Sequence, residues 1–365
     1  EIASCLVGSE MCIRDRNYMD NVNEHTLNNL KKRFVSDYSL PIIIFEEPDF
    51  EYFLNLYEEQ FGAKTKWDKL INVIDEKFNG NPNLFLEEFA RVRNNMIESI
   101  LNNKYYQEFN ENQCVLSKYN LPKLNYPKSN VYKETNNGRY FLSVDLKKAN
   151  FSALMYHDSQ ILGEETIIPY EDWVKKFTDL EYIIESKYTR QVVFGKLNPS
   201  RQIKVENYMI YQALQKYLTL FECLNINVEV ASFCTDEVVF DVTDNFKYIL
   251  DNMSAIKHLQ KCLKDDDKIN VDVEFYRLSL QKFKTYKDAE IPVYMKTYLD
   301  NKERDKFSAV VYDLFSVPSF YYAQVYKLIH GMRVTETDMK FYMEGQIARF
   351  YHPLIYVNSI LNYDK

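Results

Sequence analysis

Residues Gly138–Asp158 read "GRYFLSVDLKKANFSALMYHD", and this stretch decides the fold. Tyr140-Phe141-Leu142-Ser143-Val144 has the apolar, aromatic composition of a buried β-strand. It runs straight into Asp145, where another apolar residue would be cheaper. An unpaired carboxylate at a strand end costs several kcal/mol if water is excluded, so such a residue has a cation, a hydrogen-bond network or solvent beside it. The partners elsewhere in the chain therefore set the purpose of this strand.

Two later stretches bear on that choice. "VFGKLNPSRQIKVENYMIYQALQKYLTLF" begins at Val193. Gly195 permits a turn, and Asn198 followed by Pro199 is an N-cap and first-turn signature. Val205, Met209, Ala213, Tyr217 and Phe221 then recur at i+4, which predicts a long helix. Lys196, Arg201 and Lys204 cluster at its start with free backbone N–H groups, a reasonable place for a phosphate; a capped amphipathic helix with ordinary surface cations is the alternative. "INVEVASFCTDEVVFDV" alternates at Ile226, Val228 and Val230 and again at Val238, Phe240 and Val242. Thr235-Asp236-Glu237 lies between, which predicts a β-hairpin with two acids near its tip, although acids are also common in turns for structural reasons.

Composition narrows the class. The chain is 46% hydrophobic and 27% charged, as in globular proteins, and no apolar run approaches the roughly 18 residues of a membrane span. Leu6–Asp15, "LVGSEMCIRD", resembles the translation of a transposase adapter used in sequencing libraries. Residues 1–16 are therefore expected to be adapter and disordered, with Met19 the first plausible native start. Cys114, Cys223, Cys234 and Cys262 form no CxxC pair and are expected to be buried free thiols in a reducing compartment. With 5 His and 8 Gly, the chain has little room for His-ligated metals or Gly-rich phosphate loops. The net charge of −8 disfavours a surface that binds nucleic acid everywhere, but a local basic groove fits inside an acidic total.

Along the chain, helical periodicity dominates from Asn21 to about Asn110, including "PDFEYFLNLYEEQF" from Pro48 to Phe61. A polar, proline-containing connection spans 111–137. Strands and helices mix from Arg139 to about Tyr298, where Phe275, Leu278, Leu280 and Phe283 suggest strands. From Asp300 the pattern reads as helical, with "SFYYAQVYKLIH" and "DMKFYMEGQIARFYHPLIYVNSIL" as its clear segments.

A strand ending in Asp145, a Gly195 turn feeding a helix and a hairpin tipped by Asp236-Glu237 occur in that order. This set resembles motifs A, B and C of the palm domain of template-dependent polymerases, reverse transcriptases most of all. "SVDLKKANFSAL" is similar to motif A and "FCTDEVVFDV" to motif C, and the likeness covers roughly Arg139 to Val242. It departs from the pattern in having Glu237 for the second acid of motif C, in lacking the Gln-Gly and Ser-Pro pairs of motif B, and in having Asn150 where an aromatic is expected.

The resemblance implies an α+β, right-hand polymerase-like fold. A helical fingers-like region would span 17–137 with its linker at 111–137, a mixed palm with an antiparallel sheet 138–298, and a helical thumb-like region 299–365. It implies nucleotidyl transfer with Mg²⁺ or Mn²⁺ as cofactor, and Asp145, Asp236 and Glu237 as catalytic and metal-binding residues. Lys196, Arg201 and Lys204, together with Arg139 or Arg190, would face the incoming triphosphate, with Lys284, Lys287 or Lys296 approaching it from the strands after motif C. Asn150 would read the ribose, with Phe151, one position later, as the alternative gate. The implied partners are a nucleic-acid template and primer and nucleoside triphosphates, without a membrane. The implied setting is intracellular, cytoplasmic, and viral or part of a mobile element. A GGDEF-type nucleotide cyclase shares the palm, but its paired glycines are absent here and Lys147 replaces its second Asp. A family B polymerase would need more chain. A non-catalytic palm-like or helical interaction protein, with Asp145 simply hydrogen-bonded, is the remaining alternative.

Overall fold

The computed structural model describes residues 24–299 and 312–357. The adapter-like segment, the start at Met19 and the residues around Asp300 lie outside the described residues. Helices of eight or more residues are labelled α1 to α10.

The N-terminal region is helical as expected: α1 (Glu24–Asp37), α2 (Asp49–Leu56), α3 (Ala63–Phe78), α4 (Pro82–Leu101) and α5 (Lys104–Glu111). The Asn81 side chain accepts from the Asn83 N–H and Pro82 fills the first turn, so α4 starts with its backbone donors provided for. The segment from Pro48 to Phe61 is two helices, α2 and a single turn at Glu58–Phe61. The break falls at Tyr57, whose fully buried ring sits among Phe53, Phe61, Tyr322 and Tyr326.

The central sheet is antiparallel, in the order β2-β3-β1-β4-β5-β6, with β9 added against the far part of β4. Its strands are β1 (Tyr140–Leu146), β2 (Glu229–Phe233), β3 (Glu237–Asp241), β4 (Val271–Lys284), β5 (Glu290–Tyr298) and β6 (Tyr312–Phe315). Strand alternation assigns β1 its two faces. Leu142, Val144 and Leu146 join the main core, under α6 (Ala149–His157) and α8 (Pro199–Cys223); Phe141 belongs to a second cluster on the opposite face. α7 (Lys187–Gly195) leads into α8, and α9 (Met253–Asp265) leads toward β4. The main core runs unbroken from Leu30 in α1 to Phe275 in β4, so the N-terminal helices and the sheet share one interior.

The polar connection crosses the second face. It first forms a 3₁₀ segment at Gln113–Tyr119. The Phe233 N–H then donates to the Pro127 carbonyl at 2.8 Å, and Ser232 Oγ to the Lys128 carbonyl at 3.0 Å, tying it to the β2 edge. Val131 is buried with Phe141, Ala231, Val239 and Tyr276, and the Gly138 N–H reaches the Leu278 carbonyl at 2.8 Å.

The C-terminal expectation is corrected. α10 (Tyr322–Ile329) is helical, but "DMKFYMEGQIARFYHP" forms the hairpin β7 (Lys340–Met343) and β8 (Gln346–Arg349), and β9 (Ile355–Val357) joins the central sheet. Glu344 and Gly345 take φ of 52° and 81°, the left-handed pair that a two-residue hairpin turn demands. The palm-like boundary at 298 is therefore too short, since β6 and β9 extend the same sheet. This segment also closes back on the N-terminal helices. Lys327 Nζ pairs with Asp338 Oδ2 at 2.8 Å, Tyr52 of α2 donates to Asp338 Oδ1 at 2.7 Å, and Lys340 pairs with Asp49 at 2.6 Å.

Candidate active site

Strand register assembles the site. Asp145 lies opposite Glu237 on β3 and Asp272 on β4, and Ser143, two residues earlier, lies opposite Glu274. Directly opposed residues in antiparallel strands point to the same face with Cα atoms about 4.5–5.5 Å apart. Asp145, Glu237, Asp272 and Glu274 therefore share one face, opposite the one that α6 and α8 cover. The Leu146 N–H donates to the Asp236 carbonyl at 2.8 Å, which fastens the hairpin tip to the end of β1. Ser143 Oγ donates to Glu237 Oε1 at 2.6 Å and holds that carboxylate over the sheet.

These residues line a groove of about 750 Å³, with Tyr132, Lys296, Tyr298 and Phe315 along its other side. Four lysines line the same groove, Lys147, Lys187, Lys257 and Lys296; Lys147 Nζ is 2.6 Å from Asp272 Oδ1, and buried Lys296 Nζ is 3.4 Å from Glu274 Oε2 and 4.4 Å from the Tyr276 ring centroid. Burial, then the charges of Asp236, Glu237, Glu274 and Asp272, push the Asp145 carboxyl up to about 7. Glu206, buried in α8, is likewise pushed up to about 7 by burial and by Asp236.

The expected cations fare differently from the acids. Arg201 is 5% exposed and is used structurally: its guanidinium donates to the Asn112 carbonyl at 2.6 Å and lies over the Phe109 ring. Lys196 is exposed at the end of α7, and neither it nor the half-buried Lys204 lines the groove. Arg139 pairs with Asp241 at 2.8 Å at the other end of β1, about 20 Å from Asp145 at the usual strand rise. Arg190 lies over the Tyr170 ring, behind α6. Lys284 is twelve positions beyond Asp272 on β4, roughly 40 Å along the strand, and Lys287 follows in the next turn. Lys296 alone of the three strand lysines lines the groove. Position in sequence places these cations at a helix start, where the helix dipole does not favour them, without fixing the direction each side chain faces, and Arg201 turns into the interior.

Asn150 is half-buried in the first turn of α6. Phe151, the alternative gate, is 4% exposed and wedged edge-on against Tyr170 and Phe194, with its centroid 6.0 Å from that of Trp173. It is a core residue lining the back of a smaller 110 Å³ pocket beside Lys147, Lys148 and Lys268. The thiols are also corrected: Cys114 and Cys223 are exposed and Cys234 and Cys262 half-exposed, all free.

Sequence reasoning missed Asp272, Glu274, Lys147 and Glu206. Asp272 and Glu274 carried a signal, since "VDVEF" alternates acid and apolar residues at period 2. Glu206 carried none, because one Glu in an amphipathic helix reads as solvent-facing.

The groove offers carboxylate oxygens, the donors that hard divalent ions prefer, beside lysines of equal number. Among the described residues no three His, Cys, Asp or Glu side chains are already arranged as a metal cage, and no helix is long and apolar enough to cross a membrane. Comparison with family models, curated proteins and solved structures finds no match to this chain.

Proposed function

We propose that the chain is a template-dependent nucleotidyltransferase, a nucleic-acid polymerase resembling reverse transcriptases. The observation that carries this reading is that Asp145 on β1 and Glu237 on β3 stand opposite each other and line one groove, with Asp236, 91 positions from Asp145, fastened to the end of β1 through its carbonyl. Nucleotidyl transfer needs carboxylates from separate strands, because one acid cannot neutralise two metals.

Asp145 and Asp236 would hold Mg²⁺ or Mn²⁺, with Glu237 a third oxygen donor steadied by Ser143. Bound there, the ions supply activation of a primer 3′-hydroxyl and neutralisation of the leaving pyrophosphate. Lys147 and Lys296 exchange their acid partners for phosphate oxygens of the incoming nucleotide, which takes over the triphosphate role expected of Lys196, Arg201 and Lys204. Template and primer lie along the groove, against Tyr132 and Phe315. Asn150, small and polar, leaves space for a ribose 2′-hydroxyl, so ribonucleotides are accepted.

Primer extension that crosses RNA and DNA templates with rNTPs and dNTPs tests the reading. Metal-dependent incorporation in at least one combination, lowered about 10²-fold or more by Asp145→Asn, is expected. No incorporation in any of the four, with either Mg²⁺ or Mn²⁺, overturns it.

A further inference from the structure

The connection between the N-terminal helices and β1 contains a feature that nucleotidyl transfer in the groove does not use. Residues 112–133 include four lysines, Lys118, Lys123, Lys128 and Lys133, and no Asp or Glu, in a chain whose net charge is −8. All four are exposed, and among the described residues none of them pairs with a carboxylate. Glu134, the first acid beyond them, is taken by Lys282 at 2.6 Å. The backbone beneath them is held in place, although it forms neither helix nor strand from 120 to 133. Tyr119 is buried against Tyr208 of α8, and the Lys128 carbonyl accepts from Ser232 Oγ at 3.0 Å and Cys234 Sγ at 2.7 Å. Asn136 Nδ2 donates to the Asn130 and Val131 carbonyls at 2.6 and 2.8 Å. The stripe ends at the groove, where Tyr132, 36% exposed, is stacked on Phe315 with ring centroids 5.1 Å apart.

We infer that residues 112–133 are a track for single-stranded nucleic acid leading into the groove, with phosphates on the four lysines and unpaired bases on the Tyr132 ring. Exposed cations without acid partners in an otherwise acidic chain are a local attraction for a polyanion. Lysines at five-residue intervals suit successive phosphates of a polymer, whereas a small anion needs them converging on one point. The exposed ring favours a nucleic acid over an acidic peptide, because every base has a π-face to stack and an Asp or Glu side chain has none. It also favours a single strand, since the bases of a duplex are stacked on one another and hidden from a ring at its edge. The backbone, already held by β2 and Asn136, presents the lysines without first having to be ordered. None of the four lysines lines the groove, and binding to them needs neither metal nor transfer, so the inference goes beyond the polymerase reading and does not rest on it.

The test is binding of a fluorescein-labelled oligothymidylate of about 20 nucleotides to the full chain in EDTA, followed by anisotropy over a range of salt. Wild type is compared with Lys123→Gln plus Lys128→Gln, and with a control of equal charge change, Lys32→Gln plus Lys247→Gln, exposed lysines on α1 and after β3. Thermal melting checks that each variant folds. Each phosphate neutralised on a single strand contributes about −0.7 to the slope of log K against log salt, so the connection variant should have a slope shallower by about 1.4 and bind about tenfold more weakly at low salt. The control should match wild type in both. A connection variant with the slope and affinity of wild type, or an equal loss in the control, overturns the inference. A duplex of the same length that binds as tightly as the single strand overturns it, and so does polyglutamate that displaces the oligonucleotide at equal charge concentration. If wild type extends no primer yet shows the lysine-dependent slope, the catalytic reading falls and this one stands. If extension occurs while the connection variant binds as wild type does, the reverse holds.

Discussion

Asp145 and His157 show two opposite ways in which burial acts on a titrating group. Asp145 holds its proton more tightly when folded than unfolded, because burial and four neighbouring acids oppose its charge. The stability it contributes is complete below the ordinary carboxylate range and is lost as pH rises toward 7. Metal-free Asp145→Asn should therefore melt higher than wild type at pH 8, by about 2–5 °C for a relief of about 1–2 kcal/mol, while losing primer extension. Equal melting temperatures at pH 8 would mean that Asp145 finds ample solvent. His157 behaves inversely. Burial first and the Lys118 charge second lower its imidazole to about 4, and its Nδ1 lies 3.0 Å from the Tyr119 hydroxyl. Its contribution is intact above 6.5 and disappears as pH falls toward 4. The unfolding free energies from urea melts at pH 7 and pH 5 should differ less for His157→Gln than for wild type, by about 1–2 kcal/mol.

At the scale of elements, local signals placed α8 and the β2–β3 hairpin well. α8 begins at Pro199, as the Asn198-Pro199 pair predicts, although the Asn198 side chain bonds Asn110 and Ser200 instead of capping its own helix. The C-terminal hairpin was misread because "KFYMEGQIARF" is rich in apolar and aromatic residues that suit either period over so short a span. Its Glu344-Gly345 turn was the discriminating cue. In α6, Phe151→Ala should cost about 3–5 kcal/mol in stability, because its ring fills the space among Tyr170, Trp173 and Phe194. A stable Phe151→Ala enzyme with altered sugar selection would instead make the ring a gate. Arg201→Ala should lower stability by about 1–3 kcal/mol through the lost Asn112 contact and the stem packed on Phe109, with nucleotide KM unchanged. A large rise in KM without loss of stability would return Arg201 to the triphosphate.

Across the whole molecule, the C-terminal segment locks the N-terminal helices to the sheet. Asp338 is 1% exposed and takes bonds from Lys327, Tyr52, the Thr335 N–H and Thr335 Oγ1. Asp338→Ala strands the buried Lys327 ammonium and should cost about 3–5 kcal/mol, whereas Asp338→Ala with Lys327→Met should recover much of the loss. Simple additivity of the two changes in denaturant melts would show that the pair is not coupled.

By itself the sequence determined the strand that ends in Asp145, the start of α8, the acidic hairpin tip and the N-terminal helices, because periodicity, caps and turn residues act within a few positions of one another. Only the tertiary structure decided that Asp272 and Glu274 stand beside Asp145, that Lys296 reaches the groove while Arg201 turns inward, and that β6 and β9 join the sheet. The strand placements depend on which strand pairs with which and in what register, and the turn of Arg201 on a contact with Asn112 in another element, none of which local signals fix; a one-residue slip would send every acid of that face into the core.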